Sequence, residues 1–154
     1  MLSLNLPPYA PKVIEKNGKR LIFDPIRLKY IRLTPEEWVR QHFVHYLINS
    51  KGYPAGFVGN EITIHLNRTT KRCDTVVYNS FLKPLMILEY KAPHVTINQA
   101  VFEQIARYNR VLQVRYLIVS NGLEHICCKI DFEKQSYSFL SDIPHYTELN
   151  SPDF

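Results

Sequence analysis

The chain has 154 residues, of which 45% are hydrophobic and 21% are charged, the balance of an ordinary globular domain. It has no apolar run of the ~20 residues that a membrane-spanning helix needs, and its first residues lack the basic start and apolar core of a secretory signal. A single cytoplasmic domain without a membrane partner is therefore expected. The net charge of +5 permits a polyanionic partner but does not prove one.

The three cysteines point to a reducing compartment. Cys127 and Cys128 are adjacent, a spacing at which disulfides rarely form, and an odd thiol remains in any pairing. We expect reduced thiols. The sequence has no Cys-x-x-Cys pair and its histidines are scattered, which argues against a structural zinc site.

The N-terminal region predicts an extended arm followed by a hairpin. Prolines punctuate the first residues, and Asn17-Gly18 is a strong two-residue turn signal between apolar residues 13–14 and 21–23. We divide the chain into this arm and hairpin, residues 1–22, and one domain, residues 23–154.

A helix is predicted to begin at Thr34-Pro35-Glu36-Glu37. Thr34 can cap the helix, Pro35 suits the first position, and Glu37 completes a capping box. Apolar residues then recur at helical spacing, and the helix should end near residues 50–52.

The remaining elements predict an α/β or α+β sandwich with a mixed sheet. Strands are expected at residues 57–66, 73–78 and 84–90, the last apolar on both faces and therefore central. A helix follows from residue 98 to about 112, and then a strand at 116–120, a turn at Asn121-Gly122, and a hairpin formed by 125–130 and 137–140. One apolar stripe is predicted on the second helix, made of Ile97, Val101, Ile105, Tyr108 and Leu112.

Charged residues interrupt the two central strands. Glu89 and Lys91 are two apart and should share a face. If Asp74 pairs opposite Glu89, a loop of four residues, 80–83, joins the strands, with Tyr78 opposite Leu85 and Asn79 opposite Pro84. The carboxylates of Asp74 and Glu89 would then lie side by side, with Cβ atoms ~5 Å apart.

Two adjacent carboxylates repel each other unless a cation lies between them, and a hard divalent ion suits such oxygen ligands. Lys91 would lie beside that ion, where an ammonium can stabilise charge on a phosphate. The alternative is a buried ion network of Asp74, Glu89 and Lys91 that only holds the hairpin together.

Several segments in order resemble the N-terminal nuclease domain of type I restriction enzyme R subunits, a member of the PD-(D/E)XK superfamily. They are FDPIRLKYIRLTPEEWVRQHFVHYL, RCDTVVYN, LEYKAP, QIARYN and YLIVSNG, and they extend from about Phe23 to Gly122. The resemblance implies a restriction-endonuclease-like core of order αβββαβ and DNA phosphodiester hydrolysis that depends on Mg²⁺ (or Mn²⁺).

The same resemblance assigns residues. Asp74 and Glu89 match the metal-binding acids, Lys91 matches the catalytic lysine, and the main-chain carbonyl of Tyr90 matches a further metal ligand. Gln104 and Tyr108 match a Gln-x-x-x-Tyr motif of related nucleases, although Tyr108 also fits a core aromatic. Further candidates for lining the site are Glu37, Glu61 and Arg72, with Arg72 as a partner for Glu61 and the capping box as the alternative for Glu37.

The sequence departs from the family in two ways. Cys73 precedes Asp74, where the motif has proline, and there is no Gly-x-x-x-x-Gly-Lys-Ser/Thr loop, so no ATP site is expected. We therefore expect a stand-alone domain that acts on DNA, either as a homodimer or with other restriction or repair subunits. A non-catalytic nucleic-acid-binding module and a structural protein remain as alternatives.

Overall fold

The computed structural model describes residues 2–149 and begins with a small antiparallel sheet. Its strands are β1 (Val13–Lys16), β2 (Lys19–Asp24) and β3 (Lys29–Arg32), in that order. The hairpin at Asn17-Gly18 is confirmed, and both turn residues have positive φ, 52° and 73°. The third strand was not expected. The division placed between residues 22 and 23 falls inside β2, and residues 1 and 150–154 of the two expected units lie outside the described residues.

The first helix, α1 (Pro35–Ser50), begins and ends where the sequence predicts. The hydroxyl of Thr34 accepts a hydrogen bond from the backbone N–H of Glu37 at 3.1 Å, which confirms the N-cap. The carboxylate of Glu37 does not complete a capping box. It accepts hydrogen bonds from Arg27 and Gln41 instead, because a buried guanidinium makes a stronger, charge-assisted bond than a backbone amide.

A six-stranded mixed sheet forms the centre of the fold. Its strands, in spatial order, are β4 (Val58–Leu66), β5 (Thr69–Tyr78), β6 (Pro84–Tyr90), β7 (Tyr116–Ser120), β8 (His125–Asp131) and β9 (Ser136–Leu140). β6 and β7 run parallel and are connected through α2 (Gln99–Arg110), whereas the other neighbours are antiparallel. The predicted order αβββαβ is therefore confirmed. A final short helix, α3 (Tyr146–Leu149), was not expected.

The sheet is covered on both faces, which gives two hydrophobic cores. α1 covers one face through residues such as Phe43 and Leu47, and α2 covers the other through Phe102 and Ala106. β6 contributes to both, as the sequence predicts for a central strand. No helix within residues 2–149 is long and apolar enough to cross a membrane.

The register of β5 and β6 agrees with the prediction over most of its length. Thr75 pairs with Leu88, and the next two pairs follow the expected alignment, but Tyr78 pairs with Pro84 and not with Leu85. The shift lies between Val77 and Tyr78, at the end of β5 beside the loop. The side-chain oxygen of Asn79 accepts from the backbone N–H groups of Phe81 and Lys83, so Asn79 belongs to the loop and does not pair with Pro84.

The apolar stripe predicted on α2 is wrong in part. Within the helix the buried residues are Phe102, Ala106 and Asn109. Phe102 packs against Tyr137 and Phe139 of β9, and this contact fixes the rotation of α2 on the sheet. Tyr108 is consequently 63% exposed, which rules out the core-aromatic interpretation.

Candidate active site

One cleft of about 500 Å³ opens between α2 and the ends of β5 and β6. Seven of the residues singled out in the sequence line it together: Arg72, Asp74, Glu89, Tyr90, Lys91, Gln104 and Tyr108. Glu36, Lys71 and Asn109, which were not anticipated, lie in the same wall. Glu37 and Glu61 do not line the cleft.

Asp74 and Glu89 form the acidic centre of the cleft. The backbone N–H of Tyr90 donates to Oδ2 of Asp74 at 2.9 Å and ties the acid of β5 to the end of β6. Burial and the neighbouring charge of Asp74 raise the pKa of Glu89 to about 7, although Lys71 acts in the opposite direction. A buried carboxyl group beside a second carboxylate is the arrangement that a shared cation relieves.

Lys71 is the principal residue that the sequence did not reveal. Its ammonium makes an ion pair with Oε1 of Glu89 and donates to Oδ1 of Asn109 at 2.7 Å. It also lies 4.6 Å from the centroid of the Tyr108 ring, and the residue is only 9% exposed. A buried lysine with three such contacts supplies the positive charge nearest to Glu89.

Two features explain why Lys71 was missed: β5 begins at Thr69 and not at residue 73 as predicted, and strand alternation breaks within it. Cys73 and Val76 are three apart, so strict alternation would place them on opposite faces, yet both belong to the α2-side core. The break in β5 lies at Asp74. The residue that faces Asp74 on β4 is Glu61, which has a φ of 57° and does not pair with Asp74 in the β4–β5 ladder. Because of this break, Lys71 and Asp74 reach the same cleft.

Arg40 of α1 holds this irregular point in place. Its guanidinium donates to the main-chain carbonyl of Asp74 and to Oε1 of Glu61, both at 2.5 Å. Arg72 binds the other oxygen of Glu61 at 2.6 Å, as expected for its partner. Burial alone would raise the pKa of Glu61, but the bonds from Arg40 and Arg72 keep it below its usual value. Glu61 therefore supports the strand beside the cleft.

Glu37 belongs to a second buried network, behind Asp74. It pairs with Arg27 at 3.0 Å and lies 3.2 Å from Nε of Arg40. Arg27 also binds the fully buried Asp24, which accepts from Asn60 at 3.0 Å. The acid of α1 that faces the cleft is its exposed neighbour Glu36.

Lys91 follows the last residue of β6, and its backbone N–H donates to the carbonyl of Ser120 at 2.9 Å. This bond continues the β6–β7 ladder and fixes the position of Lys91 at the cleft. Its ammonium makes no ion pair with any residue from 2 to 149. Its contacts thus differ from those of Lys71, although both ammonium groups lie in one cleft.

The donor atoms of the cleft suit a hard divalent cation. Within residues 2–149, no three Asp, Glu, His or Cys side chains gather as a metal-binding group, so a cation held by the carboxylates of Asp74 and Glu89 would take its remaining ligands from main-chain, water or substrate oxygens. Mg²⁺ is usually held in this way, by one or two carboxylates together with water and phosphate. The three cysteines are buried and unpaired, and none lines the cleft.

Comparisons with known proteins find similarity to subunits of type I restriction enzymes. A family model described as the type I restriction enzyme R protein N terminus matches residues 35–144, well over half of the chain. Among curated proteins, none matches. A solved fragment of a putative HsdR subunit of a type I restriction enzyme from Vibrio vulnificus YJ016 is similar, with a TM-score of 0.52 and 18% identity.

The matched structure is considerably larger than this chain. The alignment covers 76% of this chain and 24% of that one, so the chain spans about a quarter of its length. At this identity the likeness concerns the fold, and it confirms the mixed α+β architecture with flanking helices.

Proposed function

Since the chain belongs to the family of the type I restriction enzyme R protein N terminus, we propose that it is a metal-dependent nuclease domain of the PD-(D/E)XK type that hydrolyses phosphodiester bonds in DNA. The observation that carries this proposal is the convergence of Asp74, Glu89 and Lys91 on one cleft. A structural ion network has no need to expose two carboxylates and an unpaired ammonium to a solvent-filled space.

In this proposal Asp74 and Glu89 hold Mg²⁺ (or Mn²⁺), with the main-chain carbonyl of Tyr90 as a further ligand. A cation held there would supply the charge that polarises a phosphate oxygen and activates a water molecule. Lys91 stabilises the charge that develops on the phosphate, because it lines the same cleft and its ammonium has no ion-pair partner among residues 2–149. Gln104 and Tyr108 line the approach of the DNA strand from the side of α2.

The wider setting follows from the family. We propose that the domain acts in the cytoplasm, on DNA, and together with other restriction subunits or as a homodimer. The net charge of +5 favours a polyanionic substrate.

The proposal is tested by incubating the pure protein with plasmid and single-stranded DNA in the presence of Mg²⁺, Mn²⁺ or EDTA. Cleavage is expected with either metal and not with EDTA. Glu89→Gln should abolish it, whereas Glu103→Gln, the same change on a residue of α2 outside the cleft, should not. Mn²⁺ should also raise the melting temperature of the parent protein and not that of Asp74→Asn.

A protein that neither cleaves DNA nor gains thermal stability at millimolar Mn²⁺ would refute the metal-dependent activity. DNA binding without cleavage under every condition would assign the chain to the non-catalytic nucleic-acid-binding class instead.

A further inference from the structure

A second hollow, of about 400 Å³, adjoins the cleft along the exposed face of α2. It shares Lys71, Gln104 and Tyr108 with the cleft and continues to Arg107 and Val111. A ligand bound at Asp74 and Glu89 that extends along α2 would therefore contact this hollow. Its volume falls within the ~300–1,000 Å³ range of small-molecule sites.

The walls of the hollow are apolar, although it lies on the protein surface. Tyr108, in the last turn of α2, is 63% exposed, and Val111, directly after the helix, is 52% exposed. The ammonium of Lys71 lies 4.6 Å from the centroid of the Tyr108 ring and holds that ring in place. An aromatic ring fixed by a cation and left open to solvent is a surface on which another flat ring can stack.

The charge around the hollow matches a nucleic acid strand. Arg107 and Lys71 are basic, and the hollow contains no acidic residue among its lining in the described part of the chain. A nucleotide combines an apolar, flat base with an anionic phosphate, and single-stranded nucleic acids are bound by this pairing of aromatic platforms with basic grooves. A base within an intact duplex is stacked on both sides and cannot reach such a platform.

We infer that the hollow holds an unpaired nucleobase of the strand whose phosphate lies in the cleft, so that the substrate is single-stranded DNA or DNA with an unpaired nucleotide at the point of cleavage. This inference rests on the proposed function, because it takes the Asp74–Glu89 cleft as the seat of the phosphate. Tyr108 forms the stacking surface, and Val111 and Arg107 form the far wall and rim.

The test separates the contribution of bases from that of phosphates. Binding of a fluorescent short oligothymidylate, of an abasic strand of equal length and of a matched duplex is measured by anisotropy with Ca²⁺ in place of Mg²⁺, so that a hard cation lies between the carboxylates and the phosphate. The parent protein should bind the thymidylate about tenfold more tightly than the abasic strand, within the range for base–aromatic stacking, and more tightly than the duplex.

Two sets of variants localise the effect. Val111→Glu and Tyr108→Ala should reduce the ratio of thymidylate to abasic affinity towards one, whereas Tyr108→Phe should keep it. Leu82→Glu is the matched control for charge, because Leu82 is equally apolar and exposed but lies in the β5–β6 loop, outside the hollow. It should leave the ratio unchanged.

Equal affinity of the parent for thymidylate and abasic strands, or a ratio that Val111→Glu and Tyr108→Ala leave intact, would overturn the inference. DNA cleavage with Mn²⁺ in that situation would leave the proposed function standing. The converse result, a base-dependent ratio lost in both variants without cleavage by any metal, would support the hollow as a base-binding site and refute the nuclease activity.

Discussion

Replacing Lys71 by Met removes the positive charge that lies against Glu89 and keeps most of the apolar stem. In the structure the ammonium contacts Glu89, Asn109 and the Tyr108 ring, and the residue is nearly buried. Its removal leaves Glu89 and Asp74 facing each other without a neighbouring cation. We expect the variant to be less stable above about pH 7, where Glu89 is ionised, because breaking a buried pair by deleting one partner leaves the other charge uncompensated.

The size of the effect follows from the burial of the pair, in which the two side chains are 9% and 14% exposed. Loss of one partner of such a pair costs ~3–5 kcal/mol when the remaining group stays charged, and this limit is approached only at a pH well above the raised pKa of Glu89, about 7, because below it the carboxyl takes up a proton. For a domain of this size, 1 kcal/mol corresponds to ~2–4 °C, so the melting temperature should fall by roughly 6–20 °C. The loss should be smaller at pH 5, because the raised pKa of Glu89 makes the carboxyl largely neutral there.

Thermal melts of Lys71→Met, Glu89→Gln and the double variant in EDTA measure this effect. The double variant should be much more stable than the sum of the single changes predicts, because the neutral amide no longer needs a counter-ion. Lys83→Met, at an exposed position of the β5–β6 loop, is the control. Additive changes, or a Lys71→Met protein as stable as the parent at pH 7 and above, would refute the reasoning.

Three other changes test the remaining groups. Lys91→Ala should lower the rate of DNA cleavage ~10²–10³-fold. Its melting temperature should stay near that of Lys83→Ala, because the Lys91 ammonium has no ion pair with residues 2–149 to lose. A variant that cleaves at the parental rate would show that Lys91 is not catalytic. In EDTA, the free energy of unfolding of the parent relative to that of Glu89→Gln should decline as the pH rises from about 4.5 to about 7, by up to about 3 kcal/mol. The reason is that the folded state favours the protonated carboxyl of Glu89. If denaturant unfolding gives the same difference between the two proteins at every pH in this window, the raised pKa of Glu89 is contradicted. Asp24→Asn should destabilise the protein by ~3 kcal/mol, because Arg27 loses its buried counter-ion. The effect should be smaller at low pH: burial raises the pKa of Asp24, but the bonds from Arg27 and Asn60 lower it below its usual value, so the contribution of the carboxylate is lost as the pH falls below the usual value and through the lowered pKa. Asp131→Asn, at the exposed end of β8, is the control in these melts.

The sequence predicted the β5–β6 hairpin well because local rules determine it. A short loop and two apolar runs fix the register, and this register brings Asp74 and Glu89 into one cleft. The pair at the loop end, Tyr78 with Pro84, differed because Asn79 forms its own turn and the register shifts after Val77.

Longer-range contacts could not be predicted in the same way. Lys71 reaches Glu89 only because the alternation of β5 breaks at Asp74, and that break depends on Arg40, which lies 34 positions earlier in the chain. The rotation of α2, which exposes Tyr108, is set by contacts of Phe102 with a strand that follows later. An irregular backbone position that is stabilised by a distant side chain leaves no signal in the local pattern of apolar and polar residues.

The ion pair between Arg27 and Glu37 determines how long a fragment must be to fold into this domain. The match to the family model starts at residue 35, yet Glu37 is paired with Arg27, and Asn60 of β4 donates a hydrogen bond to Asp24. A recombinant fragment trimmed to residue 35 would keep every residue of the acidic cleft and still bury a carboxylate that has lost one of its two arginines. The span of a family model and the span of a stable folding unit therefore begin at different residues in this chain, and an expression boundary belongs upstream of β1.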